Sequence, residues 1–437
     1  MTESRGHRLW LAAFVALCLA GVVYRTWEMR DWGDALSPVD PYSESNALRE
    51  VDGFRAQGLW HNAGLGNVLF GPRYPDDGFP TTTGEEREHT LTPSGIYTHY
   101  PPGPEYLLYL DEAIFGPYPV SRLRLLPLAL SAAATVFYGL SVRRRFGAVA
   151  GWLVMLASLL VIPFTDANTT VHQLGYVLAL LLVEIGVAVR RNSLRWPFAL
   201  LGFAQGWLSF DVVFLAVLTP LAVELSLPLI YPGYTARLRL AAERCVLAAT
   251  GFACAHLLHF AEVSAFYGSF SGALADLHDS ARWRTGYDRT NGLSILRGAA
   301  HFVVSSYPFS IHRDHAFRFL GLTLGVWWPL IAIILYAIEL RRKRSGLPAL
   351  HLLRRWSLLG LIGLGASCAW YVVMPNHAFT NAYVLYRHMI LCFELWAIFL
   401  AVLAAGPIER WLAGARPHIG TGVESSPVGD LAKSEVT

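Results

Sequence analysis

The stretch YTHYPPGPEYLLYL, residues 97–110, sits where a polar loop gives way to apolar chain. Pro101 and Pro102 exclude regular helix at the entry, because proline lacks an N–H and restricts the residue before it. From Glu105 onward a helix is expected through YLLYLDEAIFG. It is too short to cross a bilayer and carries Asp111 and Glu112. Non-helical backbone at membrane depth is tolerated only where it is buried in protein or lines a cavity. If the neighbouring apolar runs are membrane spans, the two prolines shape a cavity wall at the membrane surface.

Those runs are abundant. The chain of 437 residues is 54% hydrophobic and 15% charged, against roughly 25% charged in soluble domains. Apolar runs near the ~20-residue spanning length fall at about 8–24, 122–141, 148–164, 171–189, 196–210, 212–231, 243–262, 318–340, 356–374 and 385–405. The expected fold is an all-α polytopic bundle of about ten transmembrane helices. Interfacial helices are expected in two long loops, 25–121 and 263–317. Residues 1–412 form the membrane domain, and 413–437 form a polar tail with the composition of disorder.

Arginine and lysine cluster in alternate connections: Arg5 and Arg8, then RRR 143–145, RRNSLR 190–195, ARLRLAAER 236–244 and RRKR 341–344. The positive-inside rule then places both termini in the cytoplasm and both long loops on the outer face of a cytoplasmic membrane. The first helix reads as an uncleaved anchor, since it lacks an A-x-A end. Net charge is +3, too small for a nucleic-acid partner. The five cysteines lie in or beside apolar runs without metal-ligand spacing.

Within the first loop, Ala47, Leu48, Val51 and Phe54 recur at helical spacing, while Arg49, Glu50 and Asp52 take the other face. This predicts an amphipathic helix over about 42–57, ended by Gly58 and lying on the membrane surface. Asp40, followed by Pro41, reads both as an N-cap and as a fixed carboxylate able to take a proton. Asp34 is its rival, and Glu44 lies one turn on. Asp76 and Asp77 form an adjacent acidic pair, able to bind a divalent cation but more simply explained as solvated.

The arrangement resembles the GT-C membrane glycosyltransferases, in particular bacterial lipid-carrier-dependent enzymes such as aminoarabinose transferases of lipid A and protein O-mannosyltransferases. Three stretches carry the resemblance: VDPYSESNALREVDGFRAQG, with an acidic residue heading a short helix; THYPPGPEYLLYL, which closes the loop; and FGPYPVSRLRLLPLALSAAATVFYGLSVRRRFG after it. It covers about residues 8–165. The sequence departs from the family at Pro41, where many relatives continue the acidic pair, and at Tyr100, where some have lysine or histidine before the prolines.

The resemblance implies transfer of a sugar from a polyprenyl-phosphate carrier to an acceptor outside the membrane, which is a lipid, a polysaccharide or a protein. Asp40 or Asp34 would be the base. Glu44, His99, Tyr100, Arg387 and His388 would contact substrate; no metal ligand is assigned, and since some members of the family need a divalent cation and others do not, one is possible here. His377, Arg282, Arg284, Arg289 and Arg313 are wider phosphate candidates, each second-loop arginine taken alone being expected to be solvated. Trp283, Tyr287 and Tyr307 could stack on sugar faces or anchor in headgroups, anchoring being the simpler expectation. Two other readings compete: a transporter or flippase of a lipid-linked sugar, which needs intramembrane carboxylates such as Glu184 or Glu394, and a non-catalytic scaffold. Asp211 is a further acidic residue between spans.

Overall fold

A computed structural model describes residues 41–71, 92, 94–116, 125–160, 195–210, 212–231, 233–286, 348–380 and 390–414, together with 12, 13, 16 and 20. Eleven helices are described: α1 Pro41–Gln57, α2 Gly103–Phe115, α3 Leu125–Phe146, α4 Ala148–Leu160, α5 Trp196–Leu208, α6 Val213–Ile230, α7 Leu238–Tyr267, α8 Phe270–Thr285, α9 Pro348–Val373, α10 Pro375–Thr380 and α11 Ile390–Gly414. Among the described residues there is no β-sheet, only an isolated bridge between Asn67 and Ile96. Three helices are long and apolar enough to cross a membrane by length and composition: 213–230, 238–267 and 390–409. The expected spans at 171–189 and 318–340 lie outside the described residues, as does that at 8–24 apart from residues 12, 13, 16 and 20, so ten spans are not established.

Two packed groups make the bundle. In the first, α3, α4, α6, α9 and α11 enclose an apolar core around Tyr138, Val154, Leu215, Trp370, Leu395 and Phe399. Tyr138 donates to the carbonyl of Glu394 at 3.0 Å and Trp396 to that of Trp356 at 3.0 Å, so the buried polar tips of both rings are satisfied. Arg355 of α9 donates to the last carbonyls of α6, Leu229 and Ile230, which have no partner within their own helix. The second group is the α5–α7 pair. A Cβ on Gly251 would strike the backbone of Ala199, and one on Gly202 the backbone of Ala248. Small residues let these two backbones touch, the usual device where neighbouring helices gain little from apolar burial.

The charged ends sort by position. Arg143, Arg144 and Arg145 end α3, and Arg145 stacks on Tyr234 in the α6–α7 turn at 5.0 Å. Arg355 meets the end of α6 there too, and the backbone N–H of Arg237 donates to the Glu224 carboxylate of α6 at 2.7 Å. The Pro-Pro loop packs near the other end of α7, a helix of 30 residues and thus roughly 45 Å long.

Helix α1 begins at Pro41 and ends where Gly58, at φ 91°, returns its N–H to Phe54 at 2.9 Å. Its amphipathic reading needs correction. Residues 44–51 are all buried, including Arg49 and Glu50. The helix is clasped on one side by α2 and on another by residues 64–67, where Gly66 leaves room for the Glu50 carboxyl. It is not an open membrane-surface helix. The span expected to end at 262 instead runs to Tyr267, and α11 runs to Gly414.

Replacing Gly251 by valine should lower the melting temperature in detergent, since overpacking such an interface costs about 1–3 kcal/mol. Gly365→Ala, in a helix with nothing within 4 Å of the new methyl, should leave it unchanged or slightly raised. Equal melting temperatures for the two variants would contradict the described α5–α7 contact.

Candidate functional site

The site is built where the Pro-Pro loop meets α7, α8 and α10. Gly268, at φ 63°, ends α7 in the left-handed region, and Ser269 caps α8 by accepting from the Gly272 N–H at 3.0 Å. This two-residue connection folds α8 back along α7. Phe260 and Phe270 meet edge-on at 5.2 Å, and Tyr267 donates to Asp276 Oδ1 at 3.1 Å. One stripe of α8 is thereby buried or half-buried: Ala273, Asp276, Ser280 and Arg284. They recur at three and four residues, the spacing of one helix face.

The Pro-Pro loop is held against these helices by three successive residues. His259 Nε2 of α7 donates to the Thr98 carbonyl at 2.9 Å. A carbonyl only accepts, so this ring nitrogen carries the proton. His99 Nε2 lies 3.3 Å from Asp276 Oδ2 of α8. The Tyr100 hydroxyl bonds to His377 Nε2 of α10 at 2.9 Å. Asn376 then ties α10 to α8, donating to the Trp283 carbonyl at 2.7 Å. At the other end of the loop, Gly103 presses on the backbone of Trp207 so closely that no side chain fits.

Under Tyr100 lies Arg284, only 4% exposed. Its guanidinium is 5.0 Å from the Tyr100 ring centroid and 4.9 Å from that of Phe210. Among the described residues, its Nε and Nη2 find no hydrogen-bond acceptor. Those two donors share one edge of the guanidinium, the edge that grips two oxygens of a carboxylate or phosphate at once. Ser280 Oγ, one turn earlier on the stripe, and His256 Nε2 of α7 likewise lack a partner among the described residues. His256 packs on Phe210 at 5.3 Å and Phe252 at 4.6 Å. The arrangement is thus an aromatic-walled cluster of polar groups with unspent hydrogen-bonding capacity, suited to an oxyanion.

The electrostatics of the surrounding groups follow their contacts. Burial alone would raise the Asp276 carboxyl. The close approach of His99, with Thr98 and the Tyr267 hydroxyl, outweighs that and holds it below the usual range. A second cluster lies behind the loop. Tyr106 donates to the Gly64 carbonyl at 2.7 Å and lies 3.4 Å from Glu262 Oε1. Glu50 is pushed well above the ordinary carboxyl range, first by burial and then by the neighbouring Glu105. Among the described residues, no group of three His, Cys, Asp or Glu is placed to hold a metal ion.

Of the residues singled out from sequence, His99 and Tyr100 join this site. Glu44 is fully buried in the first turn of α1. Asp34, Asp40, Arg387 and His388 lie outside the described residues, as do Asp76, Asp77, Glu184, Asp211, Arg289, Arg313, Tyr287 and Tyr307. Arg282 is exposed as expected, but Arg284 is not. The α7–α8 hairpin turns its stripe inward. Trp283 is also buried, with its carbonyl engaged by Asn376, so it does not anchor in headgroups. Glu394 is fully buried in α11, and neither carboxyl oxygen has a hydrogen-bond partner among the described residues.

Asp276, Ser280, His256, His259 and Glu262 were not anticipated. His256, His259 and Glu262 at i, i+3 and i+6 form a polar stripe in an otherwise apolar run, which was the available signal. Comparison with protein families, with characterised proteins and with solved structures finds no match.

Glu50 sets a pH test. Its folded-state pKa lies above the unfolded value, so the folded chain holds the extra proton and stability falls as pH rises past the ordinary carboxyl range. Glu50→Gln should raise the melting temperature at pH 8 and leave it nearly unchanged at about pH 3, where the carboxyl is protonated in both states. A wild-type advantage at pH 8 would show that Glu50 is stabilised as an anion.

Proposed function

We propose that the chain is a membrane glycosyltransferase that moves a sugar from a polyprenyl-phosphate carrier to an acceptor on the outer face of a cytoplasmic membrane. The observation that carries this reading is the open Nε–Nη2 edge of buried Arg284, roofed by Tyr100 of the Pro-Pro loop. A buried guanidinium is costly to desolvate without an acceptor, and a phosphate oxyanion offers two. The basic residues gathered at the opposite end of the bundle fit an orientation with this site outside.

In the reaction, the acceptor hydroxyl oxygen bonds to the anomeric carbon as the carbon–oxygen bond to the carrier phosphate breaks. The configuration inverts. Asp40, heading α1, takes the hydroxyl proton, with Asp34 as its rival. The carrier phosphate leaves with the electron pair, and Arg284 stabilises the charge that builds on it. Fixed donors in a water-poor pocket do this without reorganising. The leaving phosphate needs no general acid, so one carboxylate suffices, unlike the two used in double displacement.

Glu394 favours the second reading, a transporter of a lipid-linked sugar, because a buried carboxyl without a partner among the described residues suits ion coupling. One set of strains separates the two. Cells lacking the chain are complemented at equal membrane abundance with wild type, Arg284→Gln, Asp40→Asn or Glu394→Gln, and their envelope glycans are compared. The transferase reading predicts loss of one sugar in the Arg284 and Asp40 variants, with transfer down about 100-fold for Arg284→Gln, and retention in Glu394→Gln. The opposite pattern would support the transporter.

A further inference from the structure

We propose that Asp276 is a positioning residue: paired with His99, it clamps the Pro-Pro loop so that Tyr100 stays over Arg284. The inference rests on the reading of Arg284 as a phosphate fork. Asp276 and Arg284 share the buried stripe of α8 but stand eight residues apart, roughly 12 Å along the helix. The described contacts of Asp276 are with His99 and Tyr267 rather than with Arg284. Asp276 acts instead through its neighbour across the gap, His99, at 3.3 Å. His99 adjoins Tyr100 in the chain, and Tyr100 both covers Arg284 and bonds to His377. One helix thus carries the ligand-binding arginine and the anchor of the loop that roofs it.

The clamp depends on charge. The His99–Asp276 contact is a full ion pair only while the imidazole holds both protons, and Asp276 is further fixed by the Tyr267 hydroxyl at 3.1 Å. The other titratable or charged groups around the pair, among the described residues, are His259 and Glu262 from α7, Tyr97 and Tyr100 from the loop, His377 from α10, and His278, Asp279 and Arg284 on α8. Three of these groups, His259, His377 and His278, are imidazoles like His99, so the test includes a His99 variant.

The test uses the full chain in nanodiscs and farnesyl monophosphate as probe, with dissociation constants measured from pH 5.5 to 8.5. The probe's own titration is common to every variant, so only differences between variants are read. Wild type should lose affinity as pH rises and the pair discharges. Asp276→Asn keeps the shape but not the charge. It should move the midpoint of that loss down by about one pH unit and weaken binding at pH 7 about tenfold. Asp276→Glu should restore most of the affinity. In a His99→Gln background, Asp276→Asn should have no further effect, as expected of residues acting as one unit. An Asp276→Asn protein with wild-type affinity and pH profile, beside an Arg284→Gln protein that no longer binds, overturns this inference alone. If Arg284→Gln binds as wild type does, the phosphate reading fails and the inference falls with it.

Discussion

Thr98, His99 and Tyr100 follow one another in the chain, and each is held by a different helix: α7 through His259, α8 through Asp276, α10 through His377. A short loop tied at three successive residues has little freedom left to lose when a ligand arrives. The two prolines that follow remove more, since their φ angles are fixed before folding. Gly103 then docks the start of α2 on the backbone of Trp207. The loop is a rigid wall because of these ties, and the placement of Tyr100 over Arg284 depends on it.

The region is expensive to build. It buries a guanidinium, three histidines and several carboxyl groups, each of which loses hydration on burial. Part of that cost is offset locally. Tyr100 and Phe210 face the Arg284 cation with their ring electrons, and Asp276 meets His99. The cost left over sits on the Nε–Nη2 edge of Arg284, Ser280 Oγ and His256 Nε2. Unspent donors at a tightly fixed position suit the oxyanion site proposed above.

The ends of the short helices were legible in the sequence because proline and glycine mark them chemically. Pro41 opens α1, Gly58 closes it, Pro102 precedes α2 and Gly116 ends it. The long apolar helices were legible from length. Arg284 was not. In ARWRT it reads as a solvated arginine on an amphipathic helix, and only the Gly268–Ser269 reversal, which follows a span longer than its apolar run suggests, turns its face inward. Asp276 was hidden for a related reason: its partner His99 is distant in sequence, and nothing local in LADLHDS announces the contact. The pattern on α1 misled in the same way, since Arg49 and Glu50 have the periodicity of an exposed face but are covered by segments far along the chain.

The most direct measurement is a cryo-EM map of the full chain in nanodiscs with bound farnesyl monophosphate. The account predicts phosphate density within hydrogen-bonding distance of Arg284 Nε and Nη2, beneath the ring of Tyr100. A map in which that edge is filled by a carboxylate of the chain itself, with the phosphate bound elsewhere, would contradict it.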